Sequence, residues 1–259
     1  MTRDLPQRLL TTLVYVFLFM PIIMVVVMSL NASRYSVFPV PEWSFVWYEK
    51  ALEDETIGAA LKNSLVIALV SAVLATIIGT TVSIALVRFR FRFQNLVRSA
   101  FMSPLIFPEM ILAVMLLILS ASLNLQGGFW IVVAGHVLVG LPFVITVVSA
   151  RLHGFDSSLE EAAQDLGANE WATFRRITMP LALPGIIGGG LLAFTTSFDN
   201  FIITYLVAGS DVVTIPIKIY SMIRLEFSPK LHAFSTAIVF MTLCLLFLYR
   251  MVLRRQASY

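Results

Sequence analysis

The chain has 259 residues, 59% of them hydrophobic and only 13% charged, with a mean hydropathy of +0.90 and a formal net charge of +3. A soluble domain carries about 25% charged residues, so this composition excludes an ordinary soluble globule and places the chain in a lipid bilayer. The small positive excess lies in arginines flanking apolar runs, which excludes a nucleic-acid partner; the single Cys244 excludes an intrachain disulfide, and no G-x-x-x-x-G-K-[ST] phosphate loop is present.

Arg3 and Arg8 precede the first apolar run, Leu9 to Leu30. A secretory signal has an apolar core of roughly 7–15 residues, so this longer run reads as a retained first span. Further runs at about 65–87, 100–120, 129–149, 182–207 and 232–250 approach the ~20 residues that cross a hydrocarbon core of about 30 Å as helix. Backbone polarity permits only helices or a closed barrel there. The expected fold is all-α, a polytopic bundle of six transmembrane helices. With no internal repeat or low-complexity linker, residues 1–259 read as one domain. Assigned to alternating sides, one set of flanks holds twelve arginines and the other six basic residues, every lysine among them. The cluster Arg88, Arg90, Arg92 and Arg98 dominates, because it occupies a short loop without an acidic residue. The positive-inside rule then puts both termini, and the polar stretch after the fourth span, in the cytoplasm.

On the outer side, residues 31–64 bring Trp43, Trp47 and Tyr48, read as an interfacial aromatic belt, and an acidic patch of Glu49, Glu53, Asp54 and Glu55. Residues 208–231 join the last two spans and include Lys218, Tyr220 and Arg224. Within the spans stand two carboxylates, Glu109 and Asp199. Ionisable residues at membrane depth are costly and as a rule face a bundle interior or a water-filled path. Glu109 follows Pro104 and Pro108, which predicts a kinked or broken helix whose carbonyls line a cavity. Asp199-Asn200 lies about 16 residues beyond Leu183, roughly 24 Å along a helix and so in the outer half of the membrane. Carboxylates beside aromatic faces suit alkylammonium groups. Glu109, Thr195, Phe198, Asp199, Asn200 and Tyr205 are therefore candidates to line a path for a cationic solute; the alternative is that each carboxylate bonds a hydroxyl or backbone group of the bundle. His136, His153 and His232 lack metal-ligand spacing. Gly185, Gly188, Gly189 and Gly190 favour close helix packing, or a pivot.

The polar stretch has its own grammar. Ser158-x-x-Glu161 reads as a capping box, predicting a helix from Ser158. On that helix Leu159, Ala162, Ala163 and Leu166 share one narrow apolar face. Gly167 sits where a left-handed, helix-ending residue is wanted. Asn169 can cap a second short helix bearing Trp171, Phe174, Arg175 and Arg176, and Pro180 is expected to stop it before the fifth span. Residues 156–180 thus form a helical elbow, either a connector resting on the membrane surface or a handle for something outside the membrane.

Glu161, Ala162, Ala163, Gly167, Ile177 and Pro180 fit the pattern E-A-A-x3-G-x9-I-x-L-P, with Met179 in place of leucine. This resembles the membrane subunits of binding-protein-dependent ABC importers. Asn63-Ser64, Gly140-Leu141-Pro142-Phe143 and Arg151-Leu152-x-Gly154-Phe155-Asp156 look like the same family, so the resemblance covers a permease core of about 60–250. It implies a type I ABC importer permease fold in the bacterial inner membrane. It also implies an elbow that docks on a cytoplasmic ATPase, with Leu159, Glu161, Ala162, Ala163, Leu166, Gly167 and Pro180 as coupling residues. The implied partners are a dimer of ATP-binding subunits, a second permease subunit of different sequence, and an extracytoplasmic substrate-binding protein that Tyr220, Arg224 and Glu226 could touch. ATP and Mg would sit on the partner ATPase, with no cofactor and no enzymatic activity in this chain. Ser197-Phe198-Asp199-Asn200 and Ile217-Lys218-Ile219-Tyr220-Ser221-Met222 look like the second membrane subunit of spermidine/putrescine importers, whose related stretch commonly has two adjacent acids where this chain has Asp199-Asn200. Polyamine is the leading expected solute. Opines, phosphonate-like amines and other small solutes are alternatives, as is a secondary transporter using Glu109 and Asp199 as cation sites.

Overall fold

A computed structural model describes residues 4–256 apart from 36, 126, 155, 157, 211 and 226–228, with side chains described between 7 and 244. Phe155, Glu226 and the side chains of Arg3, Arg250, Arg254 and Arg255 lie outside the described residues. The described elements are all helical: α1 (Asp4–Ser29), α2 (Val46–Leu52), α3 (Glu55–Arg88), α4 (Gln94–Met102), α5 (Glu109–Ser122), α6 (Phe129–His153), α7 (Ser158–Asp165), α8 (Glu170–Thr173), α9 (Met179–Phe198), α10 (Ile202–Val207), α11 (Ile215–Leu225) and α12 (Lys230–Gln256). A 3-10 turn at Ser103–Leu105 follows α4, and a π turn at Phe174–Thr178 joins α8 to α9.

Four of these stretches are long and apolar enough to cross a membrane unaided: Gln7–Ser29, Glu55–Arg88, Phe129–His153 and Glu170–Phe198. The expected sixth span falls within α12. Three expected spans differ from the sequence reading. The third is a pair of helices, Gln94–Leu105 and Glu109–Ser122, bent by 104°. Pro108 adopts φ −54 and ψ 132, outside the helical region, so the chain turns there and restarts at Glu109. The carbonyls at this break are not all left open, since Ser103 O accepts from the Ile106 and Phe107 N–H groups. The fifth ends at Phe198, and α10 is a separate short helix. The second span also begins ten residues early, at Glu55 rather than 65, because Asp54 supplies a helix start that hydropathy does not register.

The chain falls into two compact units, residues 1–58 with 218–259, and residues 59–217. In the first, α12 packs on α1 and α2. The Trp47 indole N–H donates to Asn31 O at 2.9 Å, and the Tyr48 hydroxyl lies 2.6 Å from Ser29 Oγ. Trp47 is buried in closing the end of α1, so of the expected aromatic belt Trp43 alone stands largely exposed. Lys230 Nζ donates to Asp54 Oδ2 at 2.5 Å, and this bond with that from Thr56 holds the Asp54 carboxyl well below the usual carboxylate range.

The second unit is organised by the packing of α6 on α9. A Cβ at Gly189 would lie 3.0 Å from Val144 Cα, and one at Gly185 would lie 2.7 Å from Arg151 Cβ. These two glycines, four apart on one helix face, let the backbones approach as small-x3-small pairs do. Gly190 faces α3 instead, where a Cβ would meet Thr76 Oγ1 at 2.8 Å. Val144, Val148, Leu141, Ala182, Ala193 and Ile203 form the buried seam around this contact. Asn63 and Ser64 fasten the chain ahead of α11: Asn63 Nδ2 donates to Val213 O at 3.0 Å, and Ser64 Oγ accepts from the Ile215 N–H at 2.8 Å.

Candidate functional site

The elbow forms as its residues dictate. Helix α7 starts at Ser158, although its cap is Asp156, whose carboxylate accepts the Ser158 N–H at 3.0 Å and is thereby held below its ordinary pKa. Gly167 ends it with φ +88, a left-handed conformation. The Gly167 N–H donates to Gln164 O at 2.9 Å and the Ala168 N–H to Ala163 O at 3.0 Å, which is a Schellman ending. Asn169 Oδ1 accepts from the Ala172 N–H at 2.8 Å and starts α8. Pro180 does not stop the helix. The π turn widens the backbone around Arg176, four residues before Pro180, where the proline ring would otherwise collide with a carbonyl, and the helix continues as α9.

The elbow exposes large apolar side chains among its polar ones. Leu159 is 48% exposed, Leu166 90% and Trp171 68%, while Ala162 is exposed and Ala163 half-buried. A cleft of about 480 Å³ at the elbow is lined in part by Ala163, Leu166, Gly167, Ala172 and Ile177. The buried side chain of α7 is a charge, Glu160. Its carboxylate accepts from both terminal nitrogens of Arg88 and from the Thr178 hydroxyl. The Arg88 guanidinium, ahead of Thr178, holds the carboxyl below its usual range against the opposing effect of burial. Arg88 and Thr178 are 72 and 18 residues from Glu160 in sequence, which is why the pattern of the elbow alone does not reveal them.

The carboxylates predicted within the spans lie at the two helix breaks. Glu109 is the first residue of α5, and Asn200 stands between α9 and α10. Asn200 Nδ2 donates to Glu109 Oε1, so one break is bonded to the other. Asn200 is buried, and its Oδ1 also accepts the Ile203 N–H at 3.1 Å, capping α10. Beside it, His136 Nδ1 lies 2.7 Å from Ser197 Oγ and Nε2 lies 2.9 Å from Thr204 Oγ1, all three residues being buried. Asp199, by contrast, is exposed at the end of α9. Thr195 is exposed on the same last turn, with its hydroxyl donating back to Leu191 and Leu192 carbonyls at 3.0 Å. Phe198 stacks on Phe194 with ring centroids 6.0 Å apart, and Tyr205 on Phe201 at 5.1 Å. The structure therefore joins Glu109 to Asn200, sets Asp199, Thr195 and Phe198 along one turn, and places Tyr205 on the next helix.

Discontinuous spans with polar residues at the breaks are a device of membrane transporters. Residues 71–258 match the family described as binding-protein-dependent transport system inner membrane component. The chain is 35% identical over 250 residues to the spermidine/putrescine transport system permease protein PotC of Escherichia coli K12, covering 95% of this chain and 93% of that one. It is 36% identical over 242 residues to the putrescine transport system permease protein PotI of the same organism, covering 90% and 86%. Among solved structures, a bacterial ABC transporter that imports alginate has a chain superposing with a TM-score of 0.74 at 19% identity, over 97% of this chain and 96% of that one. The MetNI methionine ABC transporter gives 0.64 at 16%, over 78% and 97%. The chain belongs to the family of binding-protein-dependent transport system inner membrane components. It is a multi-pass inner-membrane permease with the fold of type I ABC importer subunits.

Proposed function

We propose that the chain forms half of the translocation path of an ATP-driven importer for a small cationic solute, of the spermidine and putrescine class. The observation that carries the solute class is the similarity to PotC and PotI over nearly the whole chain, with an exposed carboxylate, Asp199, next to Phe198 and its partner Phe194. An alkylammonium group would be held there by charge and by the ring faces. Thr195 and Tyr205 extend the same polar and aromatic lining, and Glu109 with Asn200 fixes the breaks behind it. The other half of the path is a second permease of different sequence, since one bundle supplies one wall of an alternating-access route.

The ATPase dimer docks on the elbow, where Leu159, Ala162, Ala163 and Leu166 present the apolar face. Gly167 sets the bend, Glu161 borders the face, and Pro180 fixes the entry to α9. ATP and Mg are bound by that partner, and hydrolysis takes place there. Both termini and the elbow face the cytoplasm, as the twelve arginines on those flanks require. ATP-driven closure of the ATPase dimer brings the elbows together and opens the path outward to solute delivered by the binding protein, and hydrolysis resets it. Asn200, where polyamine permeases commonly have a second acid, favours a second reading in which an opine or another small amine is the solute. Uptake of labelled putrescine and spermidine in cells without other polyamine importers decides between them. Saturable, ATP-dependent polyamine uptake that falls with Asp199→Asn is expected, and uptake of neither amine would sink the polyamine reading.

A further inference from the structure

The elbow is tied to the rest of its unit through one buried carboxylate. Glu160 lies on α7, Arg88 is the last residue of α3, and Thr178 is the last residue of the π turn that opens α9. Glu160 Oε2 accepts from Arg88 Nη1, while Oε1 accepts from both Arg88 Nη2 and the Thr178 hydroxyl. Arg88 Nη2 also reaches Thr178 Oγ1 at 3.5 Å, closing a triangle of three side chains on three elements. A two-pronged guanidinium–carboxylate pair fixes orientation as well as distance, which a lysine would not. Glu160 is only 7% exposed, so the carboxylate end of the pair is shielded from water while the Arg88 side chain stays partly open to it. Both helices are further secured at this level: Gln94 Nε2 donates to Leu86 O at 2.6 Å beside the end of α3, and Arg151 Nε donates to Leu181 O at 2.9 Å beside the start of α9.

We infer that the Glu160–Arg88–Thr178 triangle is the joint that passes movement of the elbow to α3 and α9 together, with Glu160 as a positioning residue that contacts neither ATPase nor solute. The inference rests on the docking reading of the elbow. The apolar residues of α7 are turned outward, while Glu160 is turned into its own unit. Docking and transmission therefore use different side chains of one eight-residue helix. Coupling between sites requires an element whose arrangement both sites bias. A carboxylate shared by two spans makes their cytoplasmic ends move as one.

The test uses the whole importer, with both permeases, ATPase and binding protein, in vesicles charged with ATP, reading labelled putrescine uptake, ATP hydrolysed and ATPase retained on purification. Glu160→Gln should keep the ATPase bound, leave the half-saturating putrescine concentration unchanged, and lower putrescine moved per ATP by about ten-fold. Arg88→Lys should do the same to a smaller degree. The paired exchange Arg88→Glu with Glu160→Arg should recover part of the ratio, which a general loss of folding would not allow. Leu166→Glu serves as the separate control for docking, and it should release the ATPase. A Glu160→Gln assembly with unaltered putrescine moved per ATP overturns the joint, as does one that loses its ATPase the way Leu166→Glu does. ATPase retention in Leu166→Glu would instead refute the docking reading while the ratio in Glu160→Gln still reports on the joint.

Discussion

In the elbow, Leu159, Leu166 and Trp171 stand in the open while Glu160 is the buried side chain; at the helix breaks, Asn200, Ser197 and His136 are buried and bonded within the chain while Asp199 faces outward. The two regions invert one another. A polar segment that leaves its leucines exposed has apolar surface to be covered by another molecule. A break that satisfies its amide and imidazole internally needs no partner to be stable, and it leaves one carboxylate, Asp199, exposed beside it. The difference separates residues that hold the chain together from residues offered to something else, and each can be tested against the other.

The largest effect is expected at the turn of the elbow. Gly167 has φ +88, which a β-branched residue tolerates at a cost on the order of 1–3 kcal/mol. Gly167→Val should abolish uptake with the chain still inserted, as read by uptake and by membrane fractionation; normal uptake would show that the bend carries no work. At the breaks, Asn200→Ala removes both the α10 cap and the donor to Glu109. It should cost about 2 kcal/mol, seen as a Tm several degrees lower in detergent. Asp199→Asn should leave Tm alone and reduce putrescine uptake about ten-fold, a loss of ~1.4 kcal/mol. If Asp199→Asn lowered Tm as much as Asn200→Ala, the division between holding and offering would collapse.

The smallest effect is expected in the other unit, at Asp54 and Lys230. Donation from Lys230 and Thr56 depresses the native Asp54 pKa, so the contribution to stability is complete above the unfolded carboxylate value of about 3.9. It is lost as pH falls through the native value. Asp54→Asn should therefore cost under about 1 kcal/mol at neutral pH, and the difference from the unaltered chain should shrink in acid. Denaturation followed across pH measures this, and a gap that persists in acid would contradict the ion-pair account.

Much of this was legible in the sequence because its determinants are local. Gly167, Asn169 and the apolar positions of α7 act within one or two turns, so spacing alone located the elbow and its ending. Pro108 broke the third span as its chemistry requires. Glu109 and Asn200 were both found as polar residues in apolar runs, but their bond spans 91 residues and is set by how α5 packs on α10. His136 lacks metal-ligand spacing, and its bonds to Ser197 and Thr204 depend on which helices the glycine contacts bring together, a pairing that small-x3-small spacing does not name. Nothing in the sequence sets Glu160 apart from Glu161, because adjacent glutamates on a short helix give no sign of which one turns inward. Pro180 departs from expectation for the opposite reason: the rule that proline ends a helix is local, and the π turn before it removes the local conflict.

Helix α3 runs without proline from Glu55 to Arg88. Asn63 and Arg88 are 25 positions apart on it, about 38 Å along the axis, so the helix works as a lever with a fastening at each end. A tilt of about 5° about the Arg88 end would sweep Asn63 through roughly 3 Å, as far as the 3.0 Å bond from Asn63 to Val213 O is long. By geometry alone, then, a rotation of a few degrees at the Arg88 end of α3 displaces its far end by the length of the bond that holds Asn63 to the segment ahead of α11.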